Sequence, residues 1–87
     1  MISVSDIKTA LRISHNMLDK DIKRNIGAAL FDMNRVGIDI RKKNPLIDKA
    51  CELYCKSQYD FQGKGEQYRK LYEGLRDSLS LAGDYRV

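Results

Sequence analysis

The stretch YDFQGKGEQY, Tyr59–Tyr68, contains glycines and a lysine that could form a phosphate-binding loop. A P-loop requires the order G-x-x-x-x-G-K-[ST] after a buried strand, because its backbone amides hold the phosphates and its hydroxyl binds Mg²⁺. Gly63, Lys64 and Gly65 follow a different order, no Ser or Thr comes next, and a predicted helix precedes them. Glu66, in the first turn of the next helix, would repel an anion. We therefore interpret the stretch as a turn between helices, in which the two glycines accept positive φ.

The soft metal ligands of the chain are His15, Cys51 and Cys55. A structural zinc site normally needs four ligands, and two cysteines at i, i+4 with a distant histidine do not supply them. No motif pairs His15 with a nucleophile that it could activate. We therefore predict no metal, no cofactor and no catalytic residue, and we expect that the protein is not an enzyme.

The first half of the chain carries the signals of two helices. Ser3 and Asp6 have the spacing of a capping box at the start of a short helix. The segment ISHN interrupts that helix, and a second helix is predicted from about Leu18 to Asn34 by its apolar periodicity.

The second half of the chain predicts two more helices. Asn44 is a good N-cap and Pro45 fits the first position of the third helix. The fourth helix is predicted from about Glu66, and Gly83 is predicted to stop it. Because the link between them is short, the third and fourth helices should form an antiparallel hairpin. The predicted fold is therefore all-α, a small bundle of about four helices with this hairpin in the C-terminal half.

The three longer helices each carry an apolar stripe that we expect to face the core. The stripes consist of Leu18, Ile22, Ile26, Ala29, Leu30 and Met33, then Leu46, Ile47, Ala50, Leu53 and Tyr54, and finally Tyr68, Leu71, Tyr72, Leu75 and Leu79. Phe31 falls outside the stripe of its helix, on the charged side, which favours a subunit contact. Cys51 lies at the rim of the third-helix stripe, and Cys55 and Tyr59 lie beyond it.

Length and charge limit the classes of protein that remain. The 87 residues predict a single domain, 1–87, with a formal charge of +4 and a pI near 9.2. No apolar run approaches the roughly 18 residues of a membrane span, so no membrane partner is expected. The first residues lack the pattern of a secretory signal, and the two cysteines are typical of cytosolic thiols. The mildly basic balance is compatible with an anionic partner.

The segment VGIDIRKKN, between the second and third helices, contains a basic run. Gly37 suits the end of a helix, and the alternation of Ile38 and Ile40 with polar residues suggests a short extended piece. The range Arg41–Lys43 is either a solvated loop or a non-specific contact with DNA, which needs only positive charge. Lys64 at the hairpin tip is a second candidate contact for DNA or a protein partner.

The first two helices suggest an alternative, a small helical DNA-binding regulator with a helix-turn-helix. A recognition helix should present Arg, Asn or Gln near its exposed start. The second helix offers Lys20, Lys23, Arg24 and Asn25, but Asp19 and Asp21 are interleaved with them in sequence. The interleaved acids therefore disfavour sequence-specific reading of bases.

Most of the chain resembles one known family. The run LIDKACELYCKSQYDFQGKGEQYRKLYEGLRDSLSLAGDY, Leu46–Tyr85, is similar to the small head–tail connector proteins of tailed bacteriophages, also called head-completion or DNA-packaging adaptors. The opening SVSDIKTALRI and the mid-chain ALFDMNRVGI resemble the first helix of that family and the end of its second. The shared pattern contains no catalytic motif, and the linker VGIDIRKKN is more compact than the reaching loops of some connectors.

The resemblance implies a structural adaptor of a phage or a prophage that acts by binding. Its subunits would form a ring, expected to be twelve-fold, between the portal protein and the tail or head-closure protein. The ring would complete the head after packaging and extend the channel through which DNA passes. Expected locations are the head–tail interface of the virion and, during assembly, the cytoplasm of the bacterial host. Phe31, Cys55 and Tyr59 are predicted subunit contacts, and Arg41, Lys42, Lys43 and Lys64 are predicted contacts with DNA or a partner.

Overall fold

A computed structural model describes residues 2–87. Its helices are α1 (Val4–Leu11), α2 (Asp19–Arg35), α3 (Pro45–Gln58) and α4 (Gly65–Leu81), with short 3₁₀ helices at Phe61–Gly63 and Gly83–Tyr85. The prediction of an all-α fold is confirmed, and extended pairing within the described residues is limited to an isolated bridge between Ile38 and Arg86.

The helix starts that the sequence predicted are confirmed. Ser3 caps α1 in a reciprocal box, in which its Oγ accepts the Asp6 amide at 3.2 Å and its own amide donates to Asp6 at 2.9 Å. Asn44 Oδ1 accepts the Leu46 amide at 2.7 Å, and Pro45 is the first residue of α3. These caps satisfy amides that have no partner inside the helix, so each fixes the point where its helix begins.

The helix α3 lies at the centre of the fold and contacts α1, α2 and α4. Its residues enter two buried clusters. One consists of Ala29, Met33, Ile38, Ile47, Ala50, Cys51, Leu53, Tyr72 and Leu79. The other consists of Ile7, Leu11, Ile22, Ile26 and Cys55. A helix that packs against neighbours on several sides buries more than one stripe, so α3 does not have the single core face that its sequence suggested.

The prediction that Cys55 lies off the core is wrong for this reason. Its side chain is 0% exposed and contacts the cluster formed by α1 and α2. Cys51, predicted at the rim, is also fully buried. Both cysteines are free thiols, and burial raises the pKa of each to about 12. They remain protonated at neutral pH and carry no thiolate that could act as a nucleophile.

The helices α3 and α4 form the predicted antiparallel hairpin. The contacts Asp60–Gly65, Lys56–Tyr68 and Tyr54–Tyr72 move away from the turn in opposite directions along the two helices. The rings of Tyr54 and Tyr72 meet edge to face, with their centroids 5.2 Å apart. The prediction that Leu71 faces the core is wrong, because this side chain is 56% exposed on the outer side of α4.

The two glycines of the hairpin turn have different roles. Gly63 has φ +71, as predicted. Gly65 does not have positive φ and is instead required for a close approach, since a Cβ there would lie 2.7 Å from Asp60 Oδ1 and 3.0 Å from the Ser57 carbonyl oxygen. The N-cap residue of α4, Lys64, makes no capping hydrogen bond with its side chain. Asp60 Oδ1 instead accepts the amide of Gly65, the first residue of α4, at 2.8 Å.

The C-terminal residues fold back onto the linker between α2 and α3. The carbonyl oxygen of Tyr85 accepts the Asp39 amide at 2.7 Å, and the Val87 amide donates to the carbonyl oxygen of Gly37 at 2.9 Å. Gly37 has φ +94, which lets the chain leave α2 and bury Ile38 completely. The predicted extended piece at Ile38 is thus present as a bridge. The helix α4 ends at Leu81, and Gly83 begins the following 3₁₀ turn rather than capping α4.

Candidate interaction surface

The predicted basic loop is partly neutralised by contacts within the chain. Arg41 Nε lies 3.0 Å from Asp39 Oδ1 and Nη2 lies 3.3 Å from Oδ2, and these hydrogen bonds lower the pKa of Asp39. Lys42 Nζ donates to the Asp84 carbonyl oxygen at 2.6 Å. Among the described residues Lys43 has no carboxylate partner within 4.0 Å, and neither has Lys64 at the hairpin tip. The loop therefore offers fewer available cations than its sequence suggests.

The three predicted subunit-contact residues have different surroundings. Phe31 is 73% exposed on the outer side of α2, as its position off the stripe predicted. Cys55 is buried and cannot meet a neighbouring subunit directly. Tyr59 is half-buried, and its hydroxyl donates to Asp21 and accepts from Asn25 Nδ2 at 3.1 Å. Only Phe31 of the three is an exposed apolar side chain.

The carboxylates of α2 connect it to α1, to the residue after α3 and to α4. Asp19 Oδ1 lies 3.0 Å from the Lys8 ammonium of α1. Asp21 accepts the hydroxyl proton of Tyr59, which follows α3. Partial burial and the hydrogen bond to Asp21 raise the pKa of Tyr59 to about 12. Asp32 reaches α4, so each of the three acids has a partner elsewhere in the chain.

The contact between Asp32 and α4 is the most developed of the three. Tyr72 donates its hydroxyl to Asp32 Oδ2 at 2.7 Å, and Arg76 Nη1 lies 3.0 Å from the same oxygen. Arg35, one turn further along α2, lies 2.8 Å from Oδ1. Partial burial disfavours the charged form, but these hydrogen bonds outweigh it and lower the pKa of Asp32 to about 2. Burial and the same contact raise the pKa of Tyr72.

One exposed arc of α2 carries several cations and no carboxylate. At about 100° per residue, seven exposed residues fall within an arc of about 120°. They are Lys20, Lys23, Arg24, Gly27, Phe31, Asn34 and Arg35. Asp19, Asp21 and Asp32 lie outside this arc.

Lys20, Lys23 and Arg24, which we name the α2 cationic face, have no carboxylate within 4.0 Å among residues 2–87. Sequence reasoning named these three residues but discounted them, because Asp19 and Asp21 are interleaved with them. A helical projection indicates the separation of charge. The partners of Asp21 and Asp32 come from distant parts of the chain, so no local pattern identifies them.

The residues with other possible chemistry are not brought together. Within residues 2–87 no group of three or more His, Cys, Asp or Glu side chains could hold a metal ion. His15 lies in the connection between α1 and α2, where its Nδ1 accepts the Met17 amide at 3.3 Å. A cleft of about 140 Å³ lies beside the basic loop and is lined by Leu30, Ile40, Arg41, Lys42, Lys43, Ile47 and Asp48.

Across the described range 2–87, no helix combines the length and apolar character needed to cross a membrane. Comparison with known proteins found no matching family model, no matching curated protein and no matching solved structure.

Proposed function

We propose that this protein is a structural adaptor of a tailed bacteriophage or prophage. In this role it forms a ring between the portal protein and the tail, extends the DNA channel and completes the head after packaging. The proposal begins from the resemblance of Leu46–Tyr85 to head–tail connector proteins. The observation that carries it in the structure is the exposed Phe31 on α2, an aromatic side chain that the fold itself leaves without a partner.

Ring formation is supported by the distribution of exposed apolar side chains. Phe31 lies on α2, whereas Leu71 and Leu81 lie on α4 and are 56% and 83% exposed. Contact between two different surfaces of identical subunits is heterologous, and a heterologous contact closes into a ring when its rotation allows. An aromatic side chain at the centre of an interface is also the kind of residue that dominates binding energy.

The alternative function, a small helical DNA-binding regulator, has less support. Helix-turn-helix proteins join their two helices by a turn of about three or four residues. Here Arg12–Leu18 separates α1 from α2, which is a longer connection. Asn25, the amide that could read a base, donates instead to Tyr59 and Asp21. The proposed adaptor role requires only binding surfaces, and we assign no catalytic residue to it.

Multi-angle light scattering at several protein concentrations, with and without a portal protein from the same phage or prophage, tests the proposal. We expect an assembly of about 120 kDa if twelve copies of the 10.0 kDa chain form the ring. A chain that stays monomeric at every concentration and never binds portal would refute the proposal.

Replacing Phe31 tests the contact itself. We expect Phe31→Ser to leave the monomer folded and to weaken assembly by at least tenfold, because the loss of a central aromatic residue typically costs more than about 1.4 kcal/mol. Met17→Ser is the matched control, since Met17 is an exposed apolar residue in the connection before α2. Equal assembly of the two variants would exclude Phe31 from the interface.

A further inference from the structure

We infer that the α2 cationic face, Lys20, Lys23 and Arg24, binds the phosphate backbone of duplex DNA without reading its sequence. The inference rests on the proposed function, in which DNA passes each subunit, and it names the surface in contact. The sequence assigned that contact to Arg41–Lys43 and Lys64. The structure favours α2, because the Arg41 guanidinium is paired with the Asp39 carboxylate and the Lys42 ammonium is hydrogen-bonded to the main-chain carbonyl oxygen of Asp84.

The choice of DNA as the partner rests on charge complementarity. The three cations stand at i, i+3 and i+4 and therefore span about 6 Å of the helix axis. Duplex DNA carries roughly one negative charge per 1.7 Å of its own axis, so several phosphates lie within that length. The acids of α2 lie outside the arc of these cations, where they contact Lys8, Tyr59 and Arg76, so no carboxylate stands among the cations that would meet the phosphates.

The same geometry disfavours a sequence-specific contact. Asn25, which could pair with adenine, lies on the inner side of α2 and donates to Tyr59 at 3.1 Å. The cations that remain outside can neutralise phosphates of any sequence. Contact through charge alone suits DNA that moves past a fixed surface, because no register on the DNA is preferred.

A DNA contact at these residues leaves the proposed subunit contact free. Phe31 lies seven residues after Arg24, which is about 10 Å further along the helix axis. An acidic protein segment that bound these cations would lie beside the exposed Phe31, and we would expect that segment to cover Phe31 as well. The DNA phosphates need only the N-terminal half of α2, and the C-terminal half can meet the next subunit.

The test is the salt dependence of binding to a fluorescent 30-base-pair duplex of mixed sequence, measured by anisotropy between 25 and 200 mM KCl. The variant carries Lys20→Gln, Lys23→Gln and Arg24→Gln. The matched control carries Lys43→Gln, Lys64→Gln and Lys70→Gln. It removes the same charge from three exposed lysines that have no carboxylate within 4.0 Å in the described part of the chain. Circular dichroism and thermal unfolding establish that both variants fold.

For the wild type, each of the three contacts should add about 0.9 to the slope of log K against log salt. We expect the slope of the α2 variant to be smaller than that of the wild type by up to about 2.7. Between 50 and 200 mM salt, the affinity of the wild type should therefore fall by a factor about 40 times larger than the affinity of the variant does. The slope of the control should equal that of the wild type to within about 0.9, the value of one phosphate contact.

Three results would overturn the inference. These are no binding by the wild type at 25 mM salt, an equal loss of slope in the control, and equal binding of a poly-glutamate peptide of matched charge. Light scattering of the α2 variant with portal separates this inference from the proposed function. If rings form but the DNA slope is unchanged, only the inference fails. If DNA binding depends on α2 but no ring forms, only the adaptor proposal fails.

Discussion

Replacing Asp32 with Asn removes the charge that joins α2 to α4 and leaves the size of the side chain almost unchanged. In the folded protein the carboxylate accepts the Tyr72 hydroxyl at 2.7 Å and pairs with Arg76 at 3.0 Å. An Asn side chain can accept one of these hydrogen bonds but offers no negative charge to the guanidinium. We expect the variant to fold with reduced stability.

The magnitude follows from the pKa of Asp32, which the fold lowers from 3.8 to about 2. One pKa unit corresponds to about 1.4 kcal/mol of preference for the charged form, which gives an upper value near 2.5 kcal/mol. The side chain is 24% exposed. Solvent screening therefore reduces the expected contribution to about 1–2 kcal/mol. Because the folded pKa lies below the unfolded one, this stabilisation is complete above about pH 4 and is lost as the pH falls toward 2.

Urea unfolding from pH 7 down to the lowest pH at which the wild type stays folded measures the effect. The free energies of unfolding of wild type and Asp32→Asn should differ by about 1–2 kcal/mol at pH 7, and the difference should shrink as the pH falls toward 2. Asp77→Asn is the control, since Asp77 also lies 3.0 Å from Arg76 but is 63% exposed. It should cost less than about 1 kcal/mol. If Asp32→Asn and the wild type lost stability in parallel across this range, the coupling of Asp32 to α4 would be disproved.

Two further predictions follow from the hairpin and from α3. Gly65→Ala should destabilise the fold by about 1–3 kcal/mol in urea unfolding, because its Cβ would meet Asp60 at 2.7 Å. Gly74→Ala, with no atom within 4 Å of its Cβ, should stabilise it by up to about 1 kcal/mol, and a change of the same sign in both variants would contradict this reasoning. Cys51 and Cys55 should react with a thiol reagent only through opening of the fold, with rates that rise with urea; rapid labelling of either native thiol would show that α3 is not buried as described.

The parts of the fold that the sequence predicted depend on residues close together in the chain. The capping box of Ser3 and Asp6, the start of α3 at Asn44 and the positive φ of Gly63 are decided within a few residues. The α2 stripe was predictable because α2 buries only one side. These features need only helical periodicity and local hydrogen bonding.

The parts that the sequence did not predict depend on contacts between distant residues. Cys55 is buried because α1 and α2 cover a second side of α3, and Leu71 is exposed because α4 meets α3 through Tyr72 and Leu79 instead. The α2 cationic face was discounted because its neighbouring acids could not be assigned to partners. Asp21 and Tyr59, for example, are 38 residues apart.

The three carboxylate contacts of α2 also restrict how this helix can turn about its own axis. Asp19, Asp21 and Asp32 meet α1, the residue after α3, and α4, so a rotation by one residue, about 100°, would break all three contacts together. The direction in which Lys20, Lys23 and Arg24 point is therefore set before any partner arrives. A partner that binds there does not have to order the helix, and less conformational entropy is lost on association.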